Sequence, residues 1–394
     1  MADGEKICFL RIGLVPELGK GLRAQALVAD LPSKGSISSL TLRGPYDIST
    51  KTSVHMPGST FPAAVPVYDY DQSEIIWAVH NTDDDHYAGE FNSEDCEIHI
   101  WRLGPHFSLS SIESTSLTAT YPQSPGLILE NGTISVGVLN GDQYCETPST
   151  LDLARRGYDH KWTKMPLNTT SKSSNGQTGF LFKPPFSNLK YIFFLQSHKD
   201  YSTVLQIDAV KENKFAELGG SSVLWQHYEV DFGFPIKRNL EDEPGNTNNG
   251  NFGAIVLQDE KSGKSRLYIF KLGHAEIHYA YIPLRKDGSI DSYNATFKAS
   301  GKQTIEIGNV SPFQGPCLLQ TESSPESEGK LIILWNHEND DFFLKGYSGA
   351  IKPNGMAPNG DEWTEIKFPF DQSQGWNNRH YTSWSALIIP GSYE

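Results

Sequence analysis

Apolar residues along the chain recur in short runs or at every second position, and helical periodicity is nearly absent. Gly, Pro, Asn and Asp bound the runs, as they do antiparallel strands joined by tight turns. One unit repeats: a strand of small or apolar residues, a polar turn, and a second aliphatic-aromatic strand. Its copies lie near 61–81, 121–141, 177–198, 251–274 and 313–337. Their turns fall at Asp69–Ser73, Asn131–Gly132, Pro184–Asn188, Asp259–Lys264 and Glu322–Gly329. Third strands follow at Glu97–Gly104, Thr203–Val210, Glu276–Leu284 and Phe342–Gly349, and weaker fourth strands at Trp162–Leu167, Thr304–Gly308 and Trp363–Pro369. Four antiparallel strands per unit predict propeller blades.

The two chain ends complete the pattern. Ser383–Pro390 has the character of an innermost strand, yet the chain stops with no partner for it. The N-terminal region supplies what is missing: Ile7–Gly13 as second strand, Leu22–Asp30 as third and Ile37–Gly44 as fourth. A sixth blade built from 383–390 with 7–44 closes the ring and removes exposed sheet edges. The expected fold is therefore all-β: a single six-bladed β-propeller over residues 1–394, closed by N-terminal strands pairing with the C-terminal strand. Residues 225–250 read as a long loop, and seven blades are the alternative if 212–250 holds two more strands.

Charge narrows the partners. Lys and Arg total 33 against 47 for Asp and Glu, a net charge of −14 that repels nucleic-acid phosphates and anionic lipid. No apolar run approaches the length of a membrane span. The expectation is a soluble monomer or weak homo-oligomer, cytoplasmic if Met1 is the native start and secreted if a signal peptide was removed. Cys8, Cys96, Cys145 and Cys317 are dispersed without a CxxC pair, so zinc of the usual spacing is not expected. Cys8 and Cys317 lie in apolar strands and read as buried free thiols.

In a propeller the start of each inner strand and the end of the second strand share one face. The second strands here end in hydrogen-bonding residues: Arg11, His80 and Asn81, Asn140, Gln196 and His198, His274, Asn336 and His337. Read as function, they ring one mouth; read as structure, Asn and His begin turns there. The approach to the inner strands adds Gln177, Asn251, Phe252, Phe313, Tyr381 and Trp384, either as the wall of an apolar pocket or as a channel plug. A metal held by His80, His198, His274 and His337 is the weaker reading, and no metal or other cofactor is expected. No G-x-S-x-G, P-loop or G-x-G-x-x-G motif occurs, and the inner strands are short of the paired carboxylates of a glycosidase.

In its length, irregular all-β blades and lack of catalytic motifs, the chain resembles a small group of fungal cofactor-free hetero-Diels–Alderases that act on tropolone-derived quinone methides and humulene-type terpenes. It is more distantly similar to the six-bladed fungal fucose-binding lectins, although the lectins' repeated Arg, Glu and Trp trio does not recur here. The first likeness implies a cyclase that binds a small hydrophobic organic substrate in a central pocket, and the second a carbohydrate-binding lectin. In the cyclase reading, Arg11, His80 and His337 carry the chemistry by polarising a carbonyl oxygen. Asn81, Gln177, Asn251, Phe252, His274, Phe313, Asn336, Tyr381 and Trp384 hold the substrate.

Overall fold

A computed structural model describes residues 4–14, 22–32, 35–48, 65–81, 96–119, 125–130, 132–140, 150–157, 159–165, 179–184, 189–198, 201–216, 225–236, 252–259, 261–273, 275–308, 316–321, 328–339, 341–369 and 381–393. They form six sheets arranged as a β-propeller. Blade 1 contains β1 (Glu5–Leu14), β2 (Leu22–Asp30), β3 (Arg43–Ile48) and, from the far end of the chain, β25 (Tyr381–Pro390). Blade 2 is β4 (Val67–Asp69), β5 (Glu74–Asn81), β6 (Cys96–Gly104) and β7 (Ser108–Ala119). Blade 3 is β8 (Gly126–Glu130), β9 (Thr133–Asn140), β10 (Thr150–Arg156) and β11 (Trp162–Met165).

Blade 4 is β12 (Gly179–Phe182), β13 (Tyr191–Ser197), β14 (Val204–Lys211) and β15 (Gln226–Asp231). A short helix, α1 (Glu212–Ala216), follows β14. Blade 5 has β16 (Phe252–Gln258), β17 (Ser265–Leu272) and β18 (Glu276–Leu284); then β19 (Thr296–Lys298) joins the edge of blade 4 in parallel, and β20 (Ser300–Glu306) completes blade 5. Blade 6 is β21 (Cys317–Gln320), β22 (Lys330–Asn339), β23 (Asp341–Ala350) and β24 (Thr364–Glu365).

The closure follows the expected pairing. β25 runs antiparallel to β1, with Cys8 opposite Leu387 and Arg11 opposite Trp384. Two strand assignments change. The fourth strand of blade 1 is Arg43–Ile48, not Ile37–Gly44. Ile37 and Leu40 are apolar and buried, and they pack into the core beside blade 6. Their segment straps onto that blade, Leu40 N–H donating to Lys367 O and Lys367 N–H to Ser38 O. Within the stretch read as a loop, Gln226–Asp231 is a strand, the fourth of blade 4, with β19 paired beyond it. Its alternation of polar with aromatic and aliphatic residues suits a strand near the sheet edge with one packed face.

Turn chemistry fixes the hairpins. Asp69 Oδ1 accepts the N–H groups of Asp71 and Gln72, and Asp259 Oδ1 those of Lys261 and Ser262. Between blades the seams are apolar. Trp77 and Trp101 of blade 2 meet edge to face at 6.0 Å and pack against Cys8, Leu10 and Leu387 of blade 1. Neighbouring inner strands approach closely: Cys317 Sγ of blade 6 donates to Ala386 O of blade 1 at 3.3 Å, and Phe180 of blade 4 packs on Phe252 of blade 5 at 5.4 Å. Cys8 and Cys317 are buried free thiols, as expected; burial pushes the Cys317 thiol up to about 12. Among the described residues no helix is long and apolar enough to cross a membrane.

At the seam of blades 3 and 4 there is no room for a side chain at Gly126, where a Cβ would lie 2.3 Å from Leu181 Cβ and 2.5 Å from its backbone nitrogen. Gly126→Ala is therefore expected to cost about 1–3 kcal/mol by overpacking, whereas Gly4→Ala, with open space around it, should be neutral. Urea denaturation of both variants checks this; equal midpoints would contradict the seam.

Candidate functional site

In each blade the inner strand is antiparallel to the second strand, so the start of the one lies beside the end of the other. The face where the inner strands begin is termed the upper face here. Polar side chains, costly to bury between blades, gather toward its rim in rows that run outward along the sheets.

In blade 1, Arg11, Gln25 and Asp47 stand opposite one another on three successive strands. Gln25 Oε1 accepts from Arg11 Nε at 3.2 Å and from Nη2 at 2.6 Å, and Gln25 Nε2 donates to Asp47 Oδ1 at 2.8 Å. The guanidinium is only 1% exposed, and the amide between them holds the plane of the fork fixed. In blade 2, His99 Nε2 lies 2.9 Å from Glu97 Oε2, and Ser114 Oγ donates to the other carboxylate oxygen. Burial alone would raise the Glu97 carboxyl, but the hydrogen bonds from Ser114 and His99 outweigh it and hold the group below its ordinary range.

Blade 4 carries the longest row. Gln196, Gln206 and Glu229 are opposite one another, with Asp208 and His227 paired one step below and His198 above. Gln196 Nε2 donates to Gln206 Oε1 at 3.2 Å. His227 Nδ1 is 3.0 Å from Asp208 Oδ1, and the two other imidazole contacts, from His198 Nε2 at 3.4 Å and His227 Nε2 at 3.9 Å, reach Glu229 Oε1. The hydrogen bond to Asp208 raises the His227 pKa and outweighs burial, which opposes it. Among the described residues no group of His, Cys, Asp and Glu has the arrangement of a metal site. In blade 5, buried Lys271 stands opposite Phe252 and His278, and His278 Nδ1 is 3.0 Å from Thr304 Oγ1. Burial holds the His278 imidazole below its ordinary value, and Lys302 and Lys271 add to this against Glu276.

The lower face is built differently, with charges that tie one blade to the next. Glu113 of blade 2 accepts from Arg102 Nε at 3.1 Å and Trp162 Nε1 of blade 3 at 3.3 Å, and pairs with Arg156 Nε of blade 3 at 2.6 Å. Lys183 bridges Glu130 of blade 3, at 3.9 Å, and Glu212. Burial, then the hydrogen bond with Glu212, raises the Glu130 carboxyl. Arg266 of blade 5 donates to Asn354 O at 2.7 Å, beside blade 6. The Glu113 contacts with Trp162 and Arg156, the Lys183–Glu130 pair and the Arg266–Asn354 bond join blades; the upper rows lie within single blades.

Of the residues predicted from sequence, Arg11 takes its place near the upper end of β1, and Phe252 starts the inner strand of blade 5, where it is buried against Phe180. The backbones of His80 and Asn81 end β5, those of Asn336 and His337 lie near the end of β22, and those of Tyr381 and Trp384 lie near the start of β25. The side chains of these six, and all of Gln177, Asn251, His274 and Phe313, lie outside the described residues. Sequence reasoning passed over Gln25, Asp47, Gln206, Asp208, His227, Glu229 and Lys271. The available signal was polar residues at period two inside otherwise apolar strands, as in Val204-Leu-Gln-Ile-Asp208.

No family model and no curated protein matches the chain. Among solved structures, a GH43_1 enzyme from Xanthomonas citri complexed with xylose is similar at 11% identity, with 83% of this chain and 98% of that chain covered and a TM-score of 0.41. The exo-β-1,3-galactanase of Phanerochaete chrysosporium is similar at 9% identity over 61% of this chain and 48% of its own, with a TM-score of 0.34. A GH43 β-1,3-galactosidase is similar at 10% identity over 61% of this chain and 44% of its own, with a TM-score of 0.32. The chain thus spans less than half of the length of these last two proteins. The likeness to glycoside-hydrolase propellers is distant and identifies no family.

The raised His227 value fixes a sign for pH dependence. The folded protein binds this proton more tightly than the unfolded chain, whose imidazole has the ordinary value of 6.5. The stabilisation is complete below that pH and lost as pH rises through the folded value. The stability gap between wild type and His227→Gln should therefore shrink from pH 6 to pH 9 in urea titrations; a gap that widens with pH would contradict the Asp208–His227 pairing.

Proposed function

We propose that this propeller is a cofactor-independent enzyme that binds a hydrophobic small molecule at its upper opening, with Arg11 donating hydrogen bonds to a carbonyl oxygen on which charge builds up. The observation that carries the reading is the Arg11 guanidinium: a buried cation at the mouth end of β1, oriented through Gln25 by Asp47. A fixed donor in a site of low dielectric stabilises developing charge without reorganising during the reaction. The rows also differ from blade to blade, Arg-Gln-Asp in blade 1 against Gln-Gln-Glu in blade 4 and Lys-His-Thr in blade 5. Such asymmetry favours one pocket over the repeated sites of a multivalent lectin.

The finer reading is a cyclase of terpenoid natural products, joining a quinone methide to an alkene as a hetero-Diels–Alderase does. Such a reaction needs chiefly two reactants held near attack distance and one polarised oxygen. His80 and His337 are further donors in this reading. The test is cycloadduct formation from a tropolonic quinone methide and a humulene-type alkene. Wild type should accelerate it over buffer, and Arg11→Met should lose about 10²–10³-fold in turnover with its circular dichroism unchanged. Gln25→Leu should lose less, because it leaves the cation in place. No acceleration by wild type, or full activity in Arg11→Met, would overturn the proposal.

A further inference from the structure

We propose that Asn294, on the outer rim where blades 4 and 5 meet, is the attachment site of an N-linked glycan, and that this glycan shields the free edge of β19. Asn294, Ala295 and Thr296 form an N-x-T sequence with no proline at its middle position, the acceptor pattern of N-glycosylation. Three other N-x-S/T sequences, at Asn131, Asn168 and Asn309, begin outside the described residues. At Asn294 the structure adds two observations to the pattern, one on access and one on what a sugar would cover.

Asn294 lies near the end of the loop that joins β18 to β19, and Tyr293, Asn294, Ala295 and Thr296 are all exposed. The backbone there is held on both sides. Ser292 Oγ accepts the Asn294 N–H at 3.1 Å and donates to Asn294 O at 2.8 Å, and Glu229 N–H donates to Ala295 O at 2.7 Å. The Asn294 side-chain amide and the Thr296 hydroxyl take no part in these bonds, so an enzyme can engage both without breaking the loop's own contacts. The second observation is the surface beside them. Tyr293 is 98% exposed, with Arg285 Cζ at 5.3 Å from its ring centroid. Among the described residues β19 is the last strand of its sheet, with no strand beyond it. An open edge of this kind is a template for pairing with a second copy of the chain, and a glycan two residues before Thr296 stands across that approach. β19 is four strand spacings out from β12, about 19 Å, so the glycan leaves the upper opening clear.

The transfer uses a lipid-linked oligosaccharide diphosphate as donor and the cell's oligosaccharide transferase as catalyst. Asn294 Nδ2 bonds to the anomeric carbon as that carbon's bond to the diphosphate oxygen breaks. The amide gives up one proton to a base of the transferase, and the lipid diphosphate leaves. The experiment directs the full chain into the secretory pathway of a yeast behind a cleavable signal, as wild type, Asn294→Gln and Thr296→Ala. Protein recovered from cells and medium is digested, and the peptide that contains residue 294 is read by mass spectrometry before and after glycosidase treatment. Wild type should carry a glycan at Asn294, and Thr296→Ala, which keeps the asparagine, should lose it. Both variants alter exposed side chains, so their urea midpoints after deglycosylation should match that of deglycosylated wild type. Without deglycosylation, Asn294→Gln should associate more than wild type in light scattering on concentration; glycans at other positions are common to both and cancel. An unmodified Asn294 in wild type, or a glycan that persists there in Thr296→Ala, overturns the site. Equal association of wild type and Asn294→Gln overturns the shielding.

Discussion

The pairing of β25 with β1 is the constraint on which the architecture rests. An inner strand at the end of a chain and an N-terminal strand at its beginning would each leave a row of backbone N–H and C=O groups unpaired. Joined from Glu5–Pro390 to Gly13–Tyr381, they close the ring and leave no inner edge open at that seam. The closure also places Arg11 opposite Trp384, so residues from the two chain ends meet at one mouth. The strap at 37–42 adds a second tie, from blade 1 to the outer edge of blade 6.

With the ring closed, the two faces divide the work. On the lower face Glu113 of blade 2 pairs with Arg156 of blade 3, and Lys183 with Glu130, across the blade seams. Polar groups on the upper face instead run along single blades, inside seams that are otherwise apolar. Burying Arg11, Gln196 and Asp208 there is expensive for stability.

Much of this was legible in the sequence because a strand's hydrophobic alternation is local. The five hairpins, the free thiols and the closure could all be read from runs of a few residues with turn residues between them. Fourth strands were harder. Gln226–Asp231 has a polar outer half and little apolar signal, so it read as loop, and Ile37–Leu40 read as strand because its apolar residues serve a core contact outside any sheet. The upper rows were only half visible. Second-strand ends such as Arg11 and His198 stood out as polar breaks in apolar runs, while Gln25, Asp208 and His227 gain meaning only through cross-strand register, which no single strand encodes.

Hydrogen exchange tests the closure most directly. The amides of Phe9, Leu10 and Ala386–Ile388 should exchange only through global unfolding, with the same free energy on both strands, since neither can open without breaking the ring. Exchange of the β25 amides at orders of magnitude faster than those of β1 would mean that the C-terminal strand is not built into blade 1, and the shared mouth would go with it.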